Sequence, residues 1–443
     1  ARNSTTTTTG MTNNGTIRSV GNNSVGIYKN GSGEIKTALG SIGKTLTVAD
    51  SGYGIFSKGA KLINNMNVTV GVDAIGAYVD GNDLTSTGTV TVGDKGVGLL
   101  VKGNGKTLTS TGNITVGSNN SVGLYAGDNA NISQSGNITV ADNNGIGVYS
   151  KGSGNISTVG AMTVGKDSIG VYKDGKGTMN INASSPIQTM TIAEKGYGLY
   201  YKGNSVADSI INSNMNMTLG KEAVGIYAKN TTVNHTGDIT VGETTIGSSG
   251  FTTPSDNKNS IGIFGDNSNI NFKGTMIVDK PLSVGIYGAN GGSITVQSGS
   301  TITVKNGATG IYLAGTASLK NGATGTINID ATSKSTAKPD TKASAELGGI
   351  KVTDKGVVTI NGKVINGGTI KIKNGKLDMD GMAIDISTGK VIVDAKSISG
   401  VAEVLPNFSQ GNSVQKVTVK DVFRTKDEGI GAFSGDVKSK SVS

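Results

Sequence analysis

Apolar and polar residues alternate along this chain in short runs, and the same runs return again and again. The clearest alternates aliphatic residues with threonine, as in Asn113-Ile114-Thr115-Val116, Asn137-Ile138-Thr139-Val140 and Asp238-Ile239-Thr240-Val241. Its threonine recurs as Thr47, Thr69, Thr91, Thr115, Thr139, Thr163, Thr191, Thr218, Thr240 and Thr303. A period of two over so few residues predicts a short β-strand with one face covered. A second run has the form aliphatic-Gly-aliphatic-aromatic, as in Val122-Gly123-Leu124-Tyr125. A third, weaker run passes through Leu108, Ile132, Ile156, Met179-Asn180-Ile181 and Ile294-Thr295-Val296. Gly, Asn, Asp and Lys fill the gaps between runs, which is turn chemistry.

The second run sets the period. Its glycines are Gly26, Gly54, Gly76, Gly98, Gly123, Gly147, Gly170, Gly198, Gly225, Gly262, Gly285 and Gly310, spaced 28, 22, 22, 25, 24, 23, 28, 27, 37, 23 and 25 residues apart. About 24 residues leave room for three strands but not for a crossover helix, and no segment keeps a 3.6-residue period with caps. Strands this short cannot bury a face alone, whereas coiling three of them per turn stacks equivalent strands about 4.8 Å apart. The predicted fold is all-β: a single-stranded, right-handed parallel β-helix (β-solenoid) with about 22–28 residues and three short strands per rung. Twelve visible rungs with their ends predict a rod of roughly 60–80 Å.

The residue before each second run is always Ser, Gly or Ala, from Ser24 to Ala308, and the aromatic slot holds Tyr nine times, Phe twice and Leu once. Strand alternation puts the small residue, the Gly and the aromatic on one face and pairs of the Val25 and Ile27 type on the other. Two arrangements follow. In one, the aliphatic pair points inward and outward aromatics form a ladder leaning over the glycines; in the other, the aromatics point inward. An outward ladder through Tyr125, Tyr149, Tyr172, Tyr200 and Tyr227 is either a binding surface or a stack that only stabilises a repetitive face. Lysines follow closely (Lys29, Lys58, Lys102, Lys151, Lys173, Lys202, Lys229), and a shared register predicts a basic stripe that attracts anionic glycans or guards against edge aggregation.

The repeat divides the chain into 1–330, with a loop insertion near 244–260, an exposed loop at 331–345, and less regular closing rungs over 346–443. The insertion carries Phe251 and Pro254 and is either a contact loop or surface slack. The 443 residues include 70 Gly, 5 Pro, no Cys and no Trp, with 35% apolar residues. Glycine without a three-residue period excludes collagen, and abundant Val, Ile and Thr exclude disorder. No run of 18 apolar residues predicts a membrane helix. The net charge is 40 − 31 = +9, yet only Arg2, Arg18 and Arg424 are arginines. That bias argues against nucleic acid as a partner. Without Cys there are no disulfides and no zinc-thiolate site.

Little in the sequence points to catalysis. The lone histidine, His235, falls in a polar slot shared with Ser110 and Gln134. Acidic residues recur in the turn after the Thr strand (Asp50, Asp94, Asp142) but alternate with Lys and lack a calcium-binding nonapeptide. No rung concentrates carboxylates, so no catalytic residue, metal or cofactor is expected.

Units such as Asn113 to Tyr125 and Asn144-Gly145-Ile146-Gly147-Val148-Tyr149-Ser150-Lys151-Gly152 resemble passenger domains of type V autotransporter adhesins, in particular the large outer-membrane autotransporters of fusobacteria. The likeness covers most of 13–330, and Leu405-Pro406-Asn407-Phe408 resembles the approach to their translocator. It implies a passenger at the outer membrane, exposed at the cell surface, that attaches to a surface glycan or protein receptor on another bacterium or a host cell. No signal peptide or C-terminal barrel is visible, so the expectation is a passenger fragment whose membrane contact is made through a missing β-barrel. Two other readings remain open: a polysaccharide-degrading β-helix enzyme or phage tail spike, and a structural spacer holding a distal binding domain.

Overall fold

The computed structural model describes the chain from Met11 to Leu313, apart from 20–21, 38–42, 183–185, 245–258, 281–282, 298 and 305–307; further on it describes strands only, between Ser318 and Ser439. The short runs become strands, and equivalent strands of successive turns pair in parallel and in register, as in Tyr125↔Tyr149, Ile132↔Ile156 and Thr115↔Thr139. One turn reads Val122–Gly127, Asn131–Gln134, Ile138–Val140, and the next begins at Ile146–Lys151. These three strands belong to three different sheets, called here the Tyr sheet, the second sheet and the Thr sheet. The fold is therefore an all-β parallel β-solenoid with three strands per turn and no helix among the described residues.

Two compact units divide the chain, Ala1–Asn216 and Met217–Ser443. The first contributes eight strands to the Tyr sheet, from Val25–Asn30 to Tyr197–Gly203. In the second, Val224–Lys229 pairs with Ile261–Asp266, so the 37-residue interval is one turn carrying an insertion. Most of that insertion, with Phe251 and Pro254, lies outside the described residues, as does 331–345. Beyond them Ile350–Val352 pairs with Thr309–Leu313, and Thr369–Lys373 pairs with Lys390–Asp394.

The core is built from fixed columns. Ile114 and Val116 of the Thr sheet, Leu124 of the Tyr sheet and Ile132 of the second sheet are all buried, while Thr115 between its two inward neighbours is exposed. Each aliphatic side chain so buried is worth about 1.5–3 kcal/mol before entropy is counted. Asparagine and aspartate do different work at the turns. Asn119, Asn120, Asn143 and Asn144 adopt positive φ, which Asn tolerates better than most residues. Asn113 Oδ1 accepts the Asn137 N–H at 2.9 Å, and Asn137 Oδ1 accepts the Ala161 N–H at 3.0 Å. The recurrent acids act likewise: Asp50, Asp94 and Asp142 accept the N–H of Val72, Ser118 and Lys166 in the following turn. Side chains thus hold backbone donors that the strand ladder leaves free.

The Tyr sheet departs from simple alternation. The expectation that the two aliphatic residues of a run share one face, opposite the Gly and the aromatic, is corrected in the first unit. Leu99, Leu124 and Val148 are fully buried, but Val97, Val122 and Ile146 face outward beside the aromatics, and the glycine between them points inward. The register shows why: Val97 pairs with Val122 and Leu99 with Leu124, with no partner pair at the intervening Gly98. Two consecutive inward residues are possible only because one has no side chain. A Cβ on Gly98 would sit 2.5 Å from the Gly123 carbonyl oxygen and 2.7 Å from Val90 Cγ1. The invariant glycine is the point where one turn's backbone approaches both the next turn and the core.

Candidate binding surface

Three outward columns run across the Tyr sheet of the first unit. The first is aliphatic, Val97, Val122, Ile146 and Ile169, ending in Tyr197; all are half-buried. Next to it, the aromatic column contains Tyr28, Phe56 and Tyr78, then Leu100, then Tyr125, Tyr149, Tyr172 and Tyr200. Charged residues make up the third. Together the first two form an apolar strip, with Val25, Tyr28 and Tyr53 its most exposed members.

The four expected tyrosines of this unit do form a ladder. Ring centroids lie 5.0 Å apart for Tyr125 and Tyr149, 4.9 Å for Tyr149 and Tyr172, and 5.1 Å for Tyr172 and Tyr200. Aromatic pairs at this spacing add about 0.5–1.5 kcal/mol beyond their burial. Tyr149 and Tyr172 each meet a ring on either side. Tyr197 packs edge-on against Tyr200 at 5.4 Å. Burial raises the Tyr125 and Tyr149 phenols, with Asp128 adding to the first and Tyr125 and Asp174 to the second. Burial, then Asp174 and Tyr149, pushes Tyr172 to about 12. These three tyrosines are neutral over the ordinary pH range.

The second unit has its own ladder. Tyr227 stacks on Phe264 at 5.0 Å, Phe264 meets Tyr287 at 5.1 Å, and Tyr287 meets Tyr312 at 4.5 Å. Lys229 is tied to Asp266 at 3.0 Å, and that hydrogen bond raises its pKa.

The basic stripe is formed only in part. Lys151 and Lys202 face outward, and Lys202 Nζ lies 5.6 Å from the Tyr200 ring centre, within cation–π range. Asp174 stands between them in register, and the same column contains Lys58, Asp80, Lys102 and Gly127. Asp80 and Asp174 thus interrupt four of the expected lysines, which weakens any field selecting anionic glycans. Lys173 is not in the column at all. It follows its tyrosine directly and so points inward, fully buried, donating through Nζ to the carbonyls of Gly152 at 3.2 Å and Gly154 at 2.5 Å. Burial lowers its pKa to about 8, with Asp174 pulling the other way. Lys29 shares that inward register and is also buried. One residue of difference in spacing after the aromatic decides whether a lysine meets water or the core.

Both arrangements left open by the sequence keep the first and third aliphatic positions on one face, and the structure separates them in the first unit. A signal was available: the first position accepts Tyr53 and Tyr197, whereas the third accepts only Ile, Leu, Val and Ala. His235 occupies the last, inward position of its second-sheet strand. It lies in a column type that elsewhere contains Thr37, Asn64, Ser86 and Gln134, all buried. Gln134 donates there through Nε2 to the carbonyls of Gly112 and Gly136, while its Oε1 has no partner among the described residues. Among the described residues no group of three His, Cys, Asp or Glu is placed to share a metal ion. The chain matches no model of a known protein family and none of the curated proteins.

Proposed function

We propose that this chain is a cell-surface adhesin of the autotransporter passenger type, without catalysis, whose contact surface is the outward face of the Tyr sheet. The observation that carries the reading is the apolar strip of the first unit, where aliphatic and tyrosine columns run side by side over successive turns. Contiguous apolar surface rimmed by charge is characteristic of interaction sites. Tyrosine suits such a surface because it offers a large, stiff apolar body with a polar tip. The stacked frame supplies rigidity, so the columns meet a partner already ordered. The resemblance of the repeats to autotransporter passengers supports export to the outer membrane and attachment to a glycan or protein on another cell.

Purified 443-residue chain, applied to bacterial and epithelial cells, tests this. Attachment is expected, together with its loss in an Ile146→Lys/Ile169→Lys double variant that keeps its strand circular dichroism. Failure of the parent chain to attach, or undiminished attachment by the variant, contradicts the proposal. The mutual packing of the ladder rings favours one other reading, a spacer that is stabilised by its aromatics and does not bind. It predicts the same absence of attachment for both chains.

A further inference from the structure

The aromatic ladder of the first unit is interrupted once. Phe56 and Tyr78 are in ring contact at 5.0 Å, and so are Tyr125 and Tyr149. Between these pairs stands Leu100, in register with Tyr78 on one side and Tyr125 on the other. Leucine ends two carbons beyond Cβ, well short of a phenol, and no ring contact joins Tyr78 to Tyr125. Two turns separate these tyrosines, about 9–10 Å at the strand spacing. Neighbouring rings in this ladder lie 4.9–5.5 Å apart. The interval is therefore two ladder steps with one ring missing.

The surroundings of the gap differ from the rest of the ladder. Tyr125 stands at 73° to Tyr149, and its Cε1 lies 3.2 Å from where a Cβ on Gly127 would be. The ring thus leans along its own strand over a position with no side chain. Lys102 belongs to the rung of Leu100, and its Cγ lies 3.4 Å from that same Gly127 point, so its stem flanks the mouth. Two carboxylates are close: the charges of Asp80 and Asp128 both act on Tyr78, and that of Asp128 on Tyr125. Among the described residues neither carboxylate has an ion-pair partner or a side-chain hydrogen bond.

We infer that the gap above Leu100 is a binding slot for one pyranose ring of a cell-surface glycan, held between Tyr78 and Tyr125, with Asp80, Asp128 and Lys102 meeting its hydroxyls. A sugar has the required duality: flat C–H surfaces for the tyrosine faces and a rim of donors and acceptors for the free charges. An aromatic guest fills the thickness but leaves both carboxylates unanswered. A cationic guest gains little, because Lys58 and Lys102 flank Asp80 in register and balance the two carboxylates. The chain's own ladder explains the fit, since the slot has the dimensions of the ring that every other rung supplies for itself. This inference rests on the adhesive reading of the Tyr face and gives that face a ligand class.

Saturation-transfer NMR tests it, using the whole chain with the methyl pyranosides of glucose, galactose and N-acetylglucosamine as probes. At least one is expected to receive saturation on its ring hydrogens. Leu100→Tyr completes the ladder, so its melting temperature is expected to stay level or rise while the saturation signal vanishes. Asp80→Asn/Asp128→Asn leaves the rings in place and is expected to weaken binding about tenfold. Absence of signal for all three sugars, an unchanged signal in Leu100→Tyr, or preferential binding of p-cresol overturns the slot. Cell attachment of Leu100→Tyr, measured in parallel, separates the two claims. A variant that loses sugar but keeps attachment removes the slot from adhesion without touching the adhesive reading. A parent chain that binds sugar but attaches to no cell overturns the adhesive reading and leaves the slot.

Discussion

The imidazole of His235 lies almost parallel to the ring of Phe272 in the next turn, 12° between planes and 6.1 Å between centroids. Both are fully buried and directly in register. Neither ring nitrogen has a hydrogen-bond partner among the described residues. Burial lowers the His235 pKa to about 4, with the nearby Gly237 backbone and Asp238 pulling the other way.

The folded pKa lies below the unfolded value, so the unfolded chain takes up the proton first. Stability is full above about pH 6.5, falls as the pH drops toward 4, and levels off below. The loss is expected to be at most about 3 kcal/mol. His235→Gln supplies an amide that can donate as Gln134 Nε2 does and should remove this histidine contribution without lowering stability at pH 7. Denaturant melts at pH 4.5 and 7, parent against variant, check it.

The inward glycines predict a second outcome. A Cβ on Gly147 would lie 2.5 Å from the Gly170 carbonyl oxygen and 2.9 Å from Ile138 Cγ2. Neither backbone nor core can yield without moving a turn. Gly147→Ala is expected to cost about 1–3 kcal/mol through overpacking. The same change at Gly81, where positive φ is the only obstacle and nothing lies within 4 Å, is expected to cost less. Equilibrium unfolding in urea compares them.

Lys173 gives a third. The folded pKa is below the usual lysine value, so the buried cation costs stability at neutral pH, and that cost is relieved as the pH rises from about 8 toward 10.5. Val79, Val101 and Ala126 occupy the same inward column with apolar side chains. Lys173→Met is therefore expected to raise stability at pH 7 by about 1 kcal/mol, with the difference shrinking above pH 9. A lower melting temperature for Lys173→Met at pH 7 contradicts this account of the site.

Architecture was legible because it depends on a repeated quantity. Three short runs per 22–28 residues leave one economical packing, and the fully buried columns of Leu, Ile and Val follow from it. Which side faced out was less legible. Strand alternation failed at the glycine of each run, because a bare backbone lets two successive residues face the core; Val122 therefore moved outward and Leu124 stayed in. Proximity in sequence also misled for Lys173, one residue from its tyrosine, whereas Lys151 and Lys202 are two residues from theirs. The Leu100 interruption was visible as a letter, but its meaning needed the register that places Tyr78 and Tyr125 on either side.

A photo-crosslinker carried on one face or another tests most directly whether the Tyr face is the contact surface. Val122 and Thr115 belong to the same stretch of chain, the first outward on the Tyr sheet and the second exposed on the Thr sheet. Benzoylphenylalanine placed at Val122 is predicted to crosslink to the surface of bound cells, and the same group at Thr115 to give little product. Equal crosslinking from both positions, or crosslinking from Thr115 alone, contradicts the account.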